Sequence, residues 1–125
     1  TGDWQYNQER LQVEKHTLDL ARLYNKPILG ISRGCQFLTT SLGGSIDKND
    51  RHARDHIVYY KDITKNVCSR HGEILGTIPP GATVLARDPQ GNCESWKLDN
   101  IVTMLWHPER MIDYWMPDEA LFLLS

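Results

Sequence analysis

The chain has 125 residues, of which 40% are hydrophobic and 24% charged, so it can bury one core and has an ordinary globular balance. Its formal net charge of -2 implies no general attraction to nucleic acid or to an anionic membrane. The three cysteines show no C-x-x-C spacing, which argues against a disulfide framework and a metal site and predicts a cytoplasmic location. No apolar stretch approaches the length of a membrane-spanning helix.

The first third of the chain predicts two helices around one buried strand. Asn7 can cap a helix over residues 8–24, and residues 28–31 are a wholly apolar run suited to a strand buried on both faces. A second helix is predicted over 33–42. One face of the first helix carries Val13, Thr17, Leu20, Ala21 and Tyr24. This order of elements predicts an α/β domain with a parallel sheet and helices on its faces.

The rest of the chain reads as short strands after a polar loop at 45–55. The predicted strands cover residues 56–60, 66–68, 82–87, 93–97 and 101–106, with turns at 79–81 and 88–92. Pro117 predicts a helix with proline at its first position. Residues 1–4 read as a loop where such a domain should begin with a strand, so we expect the chain to be a fragment.

Residues 30–34, Gly-Ile-Ser-Arg-Gly, lie between the predicted strand and the second helix. A nucleophile at such a turn needs small residues on both sides because the helix comes close to the strand, and Gly30 and Gly34 meet that need. The helix N-terminus favours an oxyanion, with the Arg33 N–H as one hydrogen-bond donor. The segment therefore predicts a nucleophile elbow with Ser32 at its tip.

A hydroxyl nucleophile also needs a base and an acid that orients the base. An α/β-hydrolase supplies them in the order nucleophile, acid, histidine. In this chain Pro108 fixes a turn that places Glu109 two residues after His107, where the carboxylate can fold back on the imidazole. The order is therefore nucleophile, histidine, glutamate, and the serine-hydrolase order does not fit.

At these two segments the chain resembles a known family. K-P-I-L-G-I-S-R-G-C-Q-F-L is similar to the nucleophile segment of class I glutamine amidotransferases, and L-W-H-P-E-R is similar to their closing motif. V-C-S-R-H at 67–71 resembles the V-N-S-x-H element of the γ-glutamyl hydrolase-like branch, peptidase family C26. The resemblance implies a three-layer α/β, flavodoxin-like domain over residues 1–125 that lacks its N-terminal sheet half.

The resemblance also implies the roles of individual residues. The catalytic residues would be Ser32, His107 and Glu109, with Arg33 at the oxyanion and with Gln36, Ser69 and His71 against the substrate. The reaction would be hydrolysis of a γ-glutamyl amide bond, in glutamine or a related small molecule, without a cofactor or a metal. A homodimer and a synthetase partner both stay open, and the lack of a synthetase domain favours a stand-alone hydrolase.

Two residues depart from the family pattern. Ser32 stands where the family nucleophile is cysteine, and Cys68 stands where the branch has asparagine. A hydroxyl is a weaker acid than a thiol, so serine is expected to be a poor nucleophile in this site. Three interpretations stay open: an engineered Cys→Ser change, a natural catalytically silent binding domain, and an active serine variant.

Four other residues carry structural expectations. Cys35 and Trp106 are expected in the core, because free cysteines are usually buried and the tryptophan holds a strand end. His56 is expected to be a satisfied structural histidine. Glu94 is expected to be an exposed carboxylate on a strand, with contact to substrate as the alternative.

Overall fold

The computed structural model describes residues 2–48, 55–69, 72–111 and 114–124, which form three α-helices and eight β-strands. The helices are α1 (Gly2–Leu23), α2 (Arg33–Ser41) and α3 (Asp118–Leu124). The strands are β1 (Ile28–Ile31), β2 (Ile46–Lys48), β3 (His56–Tyr60), β4 (Ile63–Val67), β5 (Glu73–Leu75), β6 (Thr83–Arg87), β7 (Cys93–Leu98) and β8 (Ile101–Met104). A 3-10 turn, Pro108–Arg110, follows β8.

Six strands form one mixed sheet in the order β1-β8-β7-β6-β3-β4. β1 and β8 run parallel, with Ile28 opposite Ile101, whereas the other pairs of this sheet are antiparallel. β2 and β5 form a separate antiparallel pair. Because β1 and β8 are parallel neighbours, the residues that follow them meet at the same edge of the sheet. That edge holds both Ser32 and the segment leading to His107.

Alternate residues of β8 and its extension face two different cores. Ile101 and Leu105 pack with residues of α1 and α2, including Leu18 and Leu38. The intervening side chains pack with β3, β4 and α3, in a cluster that includes Val102, Met104, Trp106, Met116 and Ala120. The sheet thus separates two helical layers, and the predicted three-layer α/β class is confirmed. In the described part, only β1 and β8 form a parallel pair, so the sheet is mixed where a parallel one was predicted.

α1 differs from its prediction at both its start and its packing. It begins at Gly2, so the loop predicted at residues 1–4 is wrong for those described. Its largely apolar face is also mostly in solvent, since Val13 is 65% and Tyr24 68% exposed, and Leu18 is the α1 residue that enters the core. The reason is that no described strand lies beyond β1, so this part of α1 has little sheet to cover.

Two short strands and one helix start were also placed wrongly. β2 and β5 lie where only loop was predicted, because three residues are too few to set a period-two pattern. Pro117 does not occupy the first position of α3. Its carbonyl accepts hydrogen bonds from the N–H groups of Ala120 and Leu121, so it caps the helix instead. Within the described ranges, no helix is both long and apolar enough to cross a membrane.

Candidate active site

The turn between β1 and α2 holds Ser32 in a strained backbone conformation. Its φ of 55° and ψ of -109° lie where non-glycine residues are rare, at a typical cost of about 1–3 kcal/mol. The Ser32 N–H donates a 2.8 Å hydrogen bond to the Met104 carbonyl, so the end of β8 holds this turn in place. Strain that is fixed by surrounding structure is typical of functional turns.

The close approach predicted on both sides of Ser32 is found on one side. A Cβ atom at Gly30 would lie 2.4 Å from Leu38 Cδ1 and 3.1 Å from the Gly34 backbone, so a larger residue here would force the Leu38 side chain and the Gly34 backbone to shift. A Cβ atom at Gly34 would meet no described atom within 4 Å. The close contact between the strand and α2 therefore favours glycine at Gly30, and crowding does not explain the second glycine.

Three side chains form one chain of hydrogen bonds at this sheet edge. The Ser32 Oγ lies 2.8 Å from His107 Nε2, and His107 Nδ1 lies 2.8 Å from Glu109 Oε1. Because a carboxylate only accepts, Nδ1 carries the proton, and Nε2 is left to accept from the Ser32 hydroxyl. That protonation state is the one a general base needs. The structure thus brings together the three residues predicted as catalytic.

The backbone around His107 is held from two sides. Its N–H donates a 2.7 Å hydrogen bond to the Cys68 carbonyl, and the Leu105 N–H donates a 2.8 Å bond to the Glu94 carbonyl. Trp106, which lies between these two bonds, is fully buried as predicted, and it stacks on Trp115 at 5.6 Å between ring centroids. The imidazole is therefore presented from a rigid segment.

Glu94 is not the exposed carboxylate that was predicted. Its side chain is 0% exposed, and Oε2 is hydrogen-bonded to His56 Nε2. The expectation that His56 is a satisfied structural histidine is confirmed by the same contact. The prediction for Glu94 failed because its partner lies 38 residues away in sequence, beyond the reach of any local pattern.

The other predicted site residues lie around Ser32 to different degrees. Gln36 is one helical turn further along α2, and its Nε2 donates a 3.3 Å hydrogen bond to Glu73 Oε2. Arg33 is the first residue of α2, where backbone N–H groups have no partner within the helix, and its side chain pairs with Glu14 of α1. No sequence signal had marked Glu73.

Ser69 and His71 were predicted to contact the substrate. Ser69 is fully buried and directly follows Cys68, whose carbonyl holds His107. His71 lies outside the described residues. Cys68 thus contacts His107, and Glu73 contacts Gln36.

All three cysteines are buried, so they are poor candidates for the nucleophile in place of Ser32. Cys35 is 0% exposed within the core beside Thr39, which confirms its predicted packing role. Burial raises the pKa of the Cys35 thiol to about 12, so the reactive thiolate is strongly disfavoured. Cys68 and Cys93 are likewise buried, and among the described residues no cysteine forms a disulfide. The described residues contain no group of three or more His, Cys, Asp or Glu side chains that could hold a metal ion.

Comparison with known proteins shows which family this chain belongs to. Among curated relatives, a GMP synthase [glutamine-hydrolyzing] of Brachyspira hyodysenteriae is 28% identical over 83% of this chain and 22% of its own. A candidate glutamine amidotransferase of Schizosaccharomyces pombe is 32% identical over 83% of this chain and 51% of its own. A glutamine amidotransferase structure from Thermotoga maritima superposes with a TM-score of 0.67 at 18% identity, over 86% of this chain and 50% of that one.

The chain spans about half or less of the length of these curated relatives. The model of the family described as glutamine amidotransferase class-I matches residues 6–115, nearly the whole chain. The chain belongs to the class I glutamine amidotransferase family.

Proposed function

We propose that this chain hydrolyses the γ-carboxamide of glutamine, or of another small γ-glutamyl amide, through Ser32, His107 and Glu109. The observation that carries the proposal is the unbroken hydrogen-bond chain from the strained Ser32 turn to Glu109. The glutamine-hydrolyzing activity in the name of the GMP synthase relatives favours glutamine as the amide. Membership of the γ-glutamyl hydrolase-like branch would instead favour a γ-glutamyl compound as substrate, with glutamate and an amine as the products.

Each step of the proposed reaction uses a group of the candidate active site. His107 Nε2 removes the hydroxyl proton while Ser32 Oγ forms a bond to the γ-carbonyl carbon, and the carbonyl oxygen becomes an oxyanion beside the N-terminus of α2. The Arg33 N–H, at the first position of α2, would donate to that oxyanion. His107 then gives its proton to the leaving amine, and a glutamyl ester remains on Ser32. Water, deprotonated by His107, releases glutamate and restores the hydroxyl.

The serine is the weak point of this sequence of steps. A thiol with a pKa near 8.5 ionises beside an imidazole, whereas a serine hydroxyl depends wholly on proton removal during attack. We therefore propose that Ser32 attenuates the reaction relative to a cysteine at the same place. The strained turn and the 2.8 Å contact to His107 are compatible with either nucleophile.

The test is to compare the full-length protein with its Ser32→Cys and Ser32→Ala variants. Glutamine and a panel of γ-glutamyl amides would be supplied, and released glutamate would be measured. We expect Ser32→Cys to raise kcat/KM by at least about 10²-fold and Ser32→Ala to abolish turnover. Equal, undetectable activity of all three folded forms would refute the proposed hydrolysis.

A catalytically silent binding domain is the main alternative, and Ser32 at the nucleophile position is the observation that favours it. Such a domain would bind glutamine in calorimetry but release no glutamate, even as Ser32→Cys. A serine hydrolase is the further alternative. It would hydrolyse p-nitrophenyl esters and react with a fluorophosphonate probe at Ser32, whereas the attenuated amidase would do neither at a comparable rate.

We further propose that these residues are part of a larger amidotransferase domain with an N-terminal sheet half beside β1. Two observations support this: the chain covers about half of its solved relatives, and a groove of about 420 Å³ lined by α1, β1 and α2 borders the open edge of β1. In the full-length protein, β1 amides should exchange with deuterium far more slowly than in residues 1–125 alone. Equal rates would contradict a covering strand.

The full-length protein can also be used to distinguish a stand-alone enzyme from one that works with a synthetase partner. The names of the GMP synthase relatives support a synthetase that receives the ammonia, while a homodimer is the other candidate assembly. Three buried cysteines, none of them in a disulfide, support a reducing, cytoplasmic location. Size-exclusion chromatography with light scattering, alone and from native lysate, would separate these assemblies.

A further inference from the structure

A second histidine–glutamate pair lies behind the candidate active site. His56, the first residue of β3, hydrogen-bonds to the fully buried carboxylate of Glu94 on β7, while its own side chain is 15% exposed. β3 and β7 are not neighbours in the sheet, because β6 lies between them. The described pairing of β3 with β6 is at Tyr59 and Tyr60, at the far end of β3 from His56. The His56 side chain can therefore contact β7 directly.

Glu94 supports the segment that leads to the catalytic histidine. β7 and β8 pair antiparallel, and beyond the paired residues the Glu94 carbonyl accepts the Leu105 N–H at 2.8 Å. Leu105 is fully buried and lies two residues before His107. The backbone of Glu94 therefore fixes the start of this segment.

His56 supports the other side of the same segment. In the β3–β4 ladder His56 lies opposite Val67, and the next residue, Cys68, accepts the His107 N–H through its carbonyl at 2.7 Å. Val67 and Cys68 are both buried. The position of His56 therefore sets the position of the carbonyl that holds His107.

We propose that the His56–Glu94 pair is a positioning device for the catalytic histidine, because it closes a ring of contacts around the backbone of His107. In order, the ring runs through Glu94, Leu105, His107, Cys68, Val67 and His56. The pair links β7, which carries the Glu94 carbonyl, to β3, which pairs with the strand that leads to the Cys68 carbonyl. This inference rests on the proposed role of His107 as general base.

The site needs such support because the triad itself is only partly enclosed. The Glu109 side chain is 54% exposed, and it lies on the same turn as His107, so it can orient the imidazole ring but not fix the turn as a whole. The contact of 2.8 Å between Ser32 Oγ and His107 Nε2 is sensitive to small shifts of that turn. A displacement of about 1 Å at a catalytic group can lower a rate by about 10²-fold.

The test uses the full-length Ser32→Cys protein as parent, with His56→Ala, Glu94→Ala and the double variant made in it. We expect each single variant to lower kcat for glutamine hydrolysis by about 10²-fold with KM within about threefold, because the base moves whereas Gln36 on α2 lies outside the ring. The double variant should be no slower than the singles, since either change opens the ring. His56→Gln, which keeps an N–H donor near the Nε2 position, should recover most of the rate.

A matched control is Asp88→Ala, which removes another buried carboxylate close to β7. Asp88 accepts hydrogen bonds from Gln90 and Asn92 within its own turn and has no part in the ring. It should lower the melting temperature without a specific loss of kcat. If kcat simply follows the melting temperature across all the variants, or if the double variant loses the product of the two single effects, the ring is not a positioning device.

A second readout needs no turnover and separates this inference from the proposed function. In the Ser32→Cys protein, the rate at which iodoacetamide modifies the introduced thiol reports how close His107 lies to it. Mass spectrometry would assign the modification site, because the chain also contains Cys35, Cys68 and Cys93, which are buried and should react slowly. We expect His56→Ala and Glu94→Ala to slow this reaction about tenfold. Unchanged rates would overturn the positioning role, even in a protein with no amidase activity.

Discussion

The described residues include two histidine–glutamate pairs, one at the surface and one in the interior. His107 and Glu109 lie two residues apart on a proline-fixed turn, and the carboxylate is 54% exposed. His56 and Glu94 lie 38 residues apart on strands that are not neighbours, and the carboxylate is 0% exposed. The same chemical pair is thus available once for proton transfer and once for holding structure.

The difference lies in what surrounds each carboxylate. Water around Glu109 weakens its attraction to the imidazole, so this pair contributes little to stability, and its effect is on the orientation of one ring. The Glu94 side chain is shielded from bulk solvent, so loss of its partner would leave a polar group in the interior without its main compensation. The first pair should therefore govern rate and the second should govern stability as well as geometry.

The largest expected effect tests the surface pair. In the Ser32→Cys protein, His107→Gln should lower kcat/KM for glutamine by about 10⁴-fold, which is about 5.5 kcal/mol of transition-state stabilisation. The free energy of unfolding should change by less than about 1 kcal/mol, because the ring is partly exposed. Steady-state kinetics and urea denaturation of the same samples check both. A loss below about tenfold would remove His107 as the base.

The next effect tests the interior pair. His56→Ala should lower the free energy of unfolding by about 3–5 kcal/mol, because it leaves the buried Glu94 carboxylate without its imidazole. Glu109→Ala, the matched change in the surface pair, should cost at most about 1 kcal/mol. Urea unfolding monitored by tryptophan fluorescence would measure both. Equal costs for the two variants would break the distinction between the pairs.

Alkaline pH probes the surroundings of the interior pair. Burial, and to a lesser extent the Glu94 charge, raises the pKa of Cys35 to about 12 and that of Cys93 to about 11. Unfolded thiols ionise near pH 8.5, so above that pH the unfolded chain loses protons that the folded chain keeps, and stability falls as pH rises. The expected fall from Cys35 is up to about 1.4 kcal/mol per pH unit until its folded pKa is reached.

Urea denaturation at pH 8, 9 and 10 measures this slope. Cys35→Ala should be less stable at pH 8, through the loss of packing, but should lose less stability per pH unit. Glu94→Gln should also flatten the slope slightly, since it removes a charge that disfavours both thiolates. Parallel slopes in the parent and Cys35→Ala would mean that this thiol is not the group that titrates.

Salt gives the smallest effect and the cleanest contrast. At low ionic strength, Glu109→Gln should change the free energy of unfolding by about 0.2–1 kcal/mol, and 1 M NaCl should remove most of that difference by screening. The cost of His56→Gln should be almost independent of salt, because ions do not enter the interior. A salt-dependent cost at His56 would indicate that water reaches the interior pair.

The sequence could predict the parts of the site that are local. The wholly apolar run at 28–31 and the proline at 108 fix a strand and a turn through short-range chemistry, so Ser32, His107 and Glu109 were found without a structure. Their catalytic roles stay a proposal. The order of predicted helices and strands along the chain was also sufficient to predict the α/β class.

The sequence could not predict what depends on distant neighbours. Glu94 lies in β7, whose sequence C-E-S-W-K-L has no strict alternation of polar and apolar residues, so the local pattern did not predict burial, and the distant partner His56 accounts for it. Glu73 lies in a three-residue strand that forms only by pairing with β2, so its contact with Gln36 had no local signal. The apolar face of α1 was visible, but whether a sheet covers it depends on strands that no helical pattern specifies.

The backbone strain at Ser32 has a consequence for how this site could change over time. The φ of 55° is equally unfavourable for serine and for cysteine, because it arises from the Cβ atom that both possess. An exchange between them therefore leaves the folding energy of the elbow almost untouched. Under the proposed function, the attenuated Ser32 form and a more active cysteine form are separated by one atom, oxygen or sulfur, on the same scaffold. Activity at such a site can be lost and regained by a single substitution without passing through an unfolded protein.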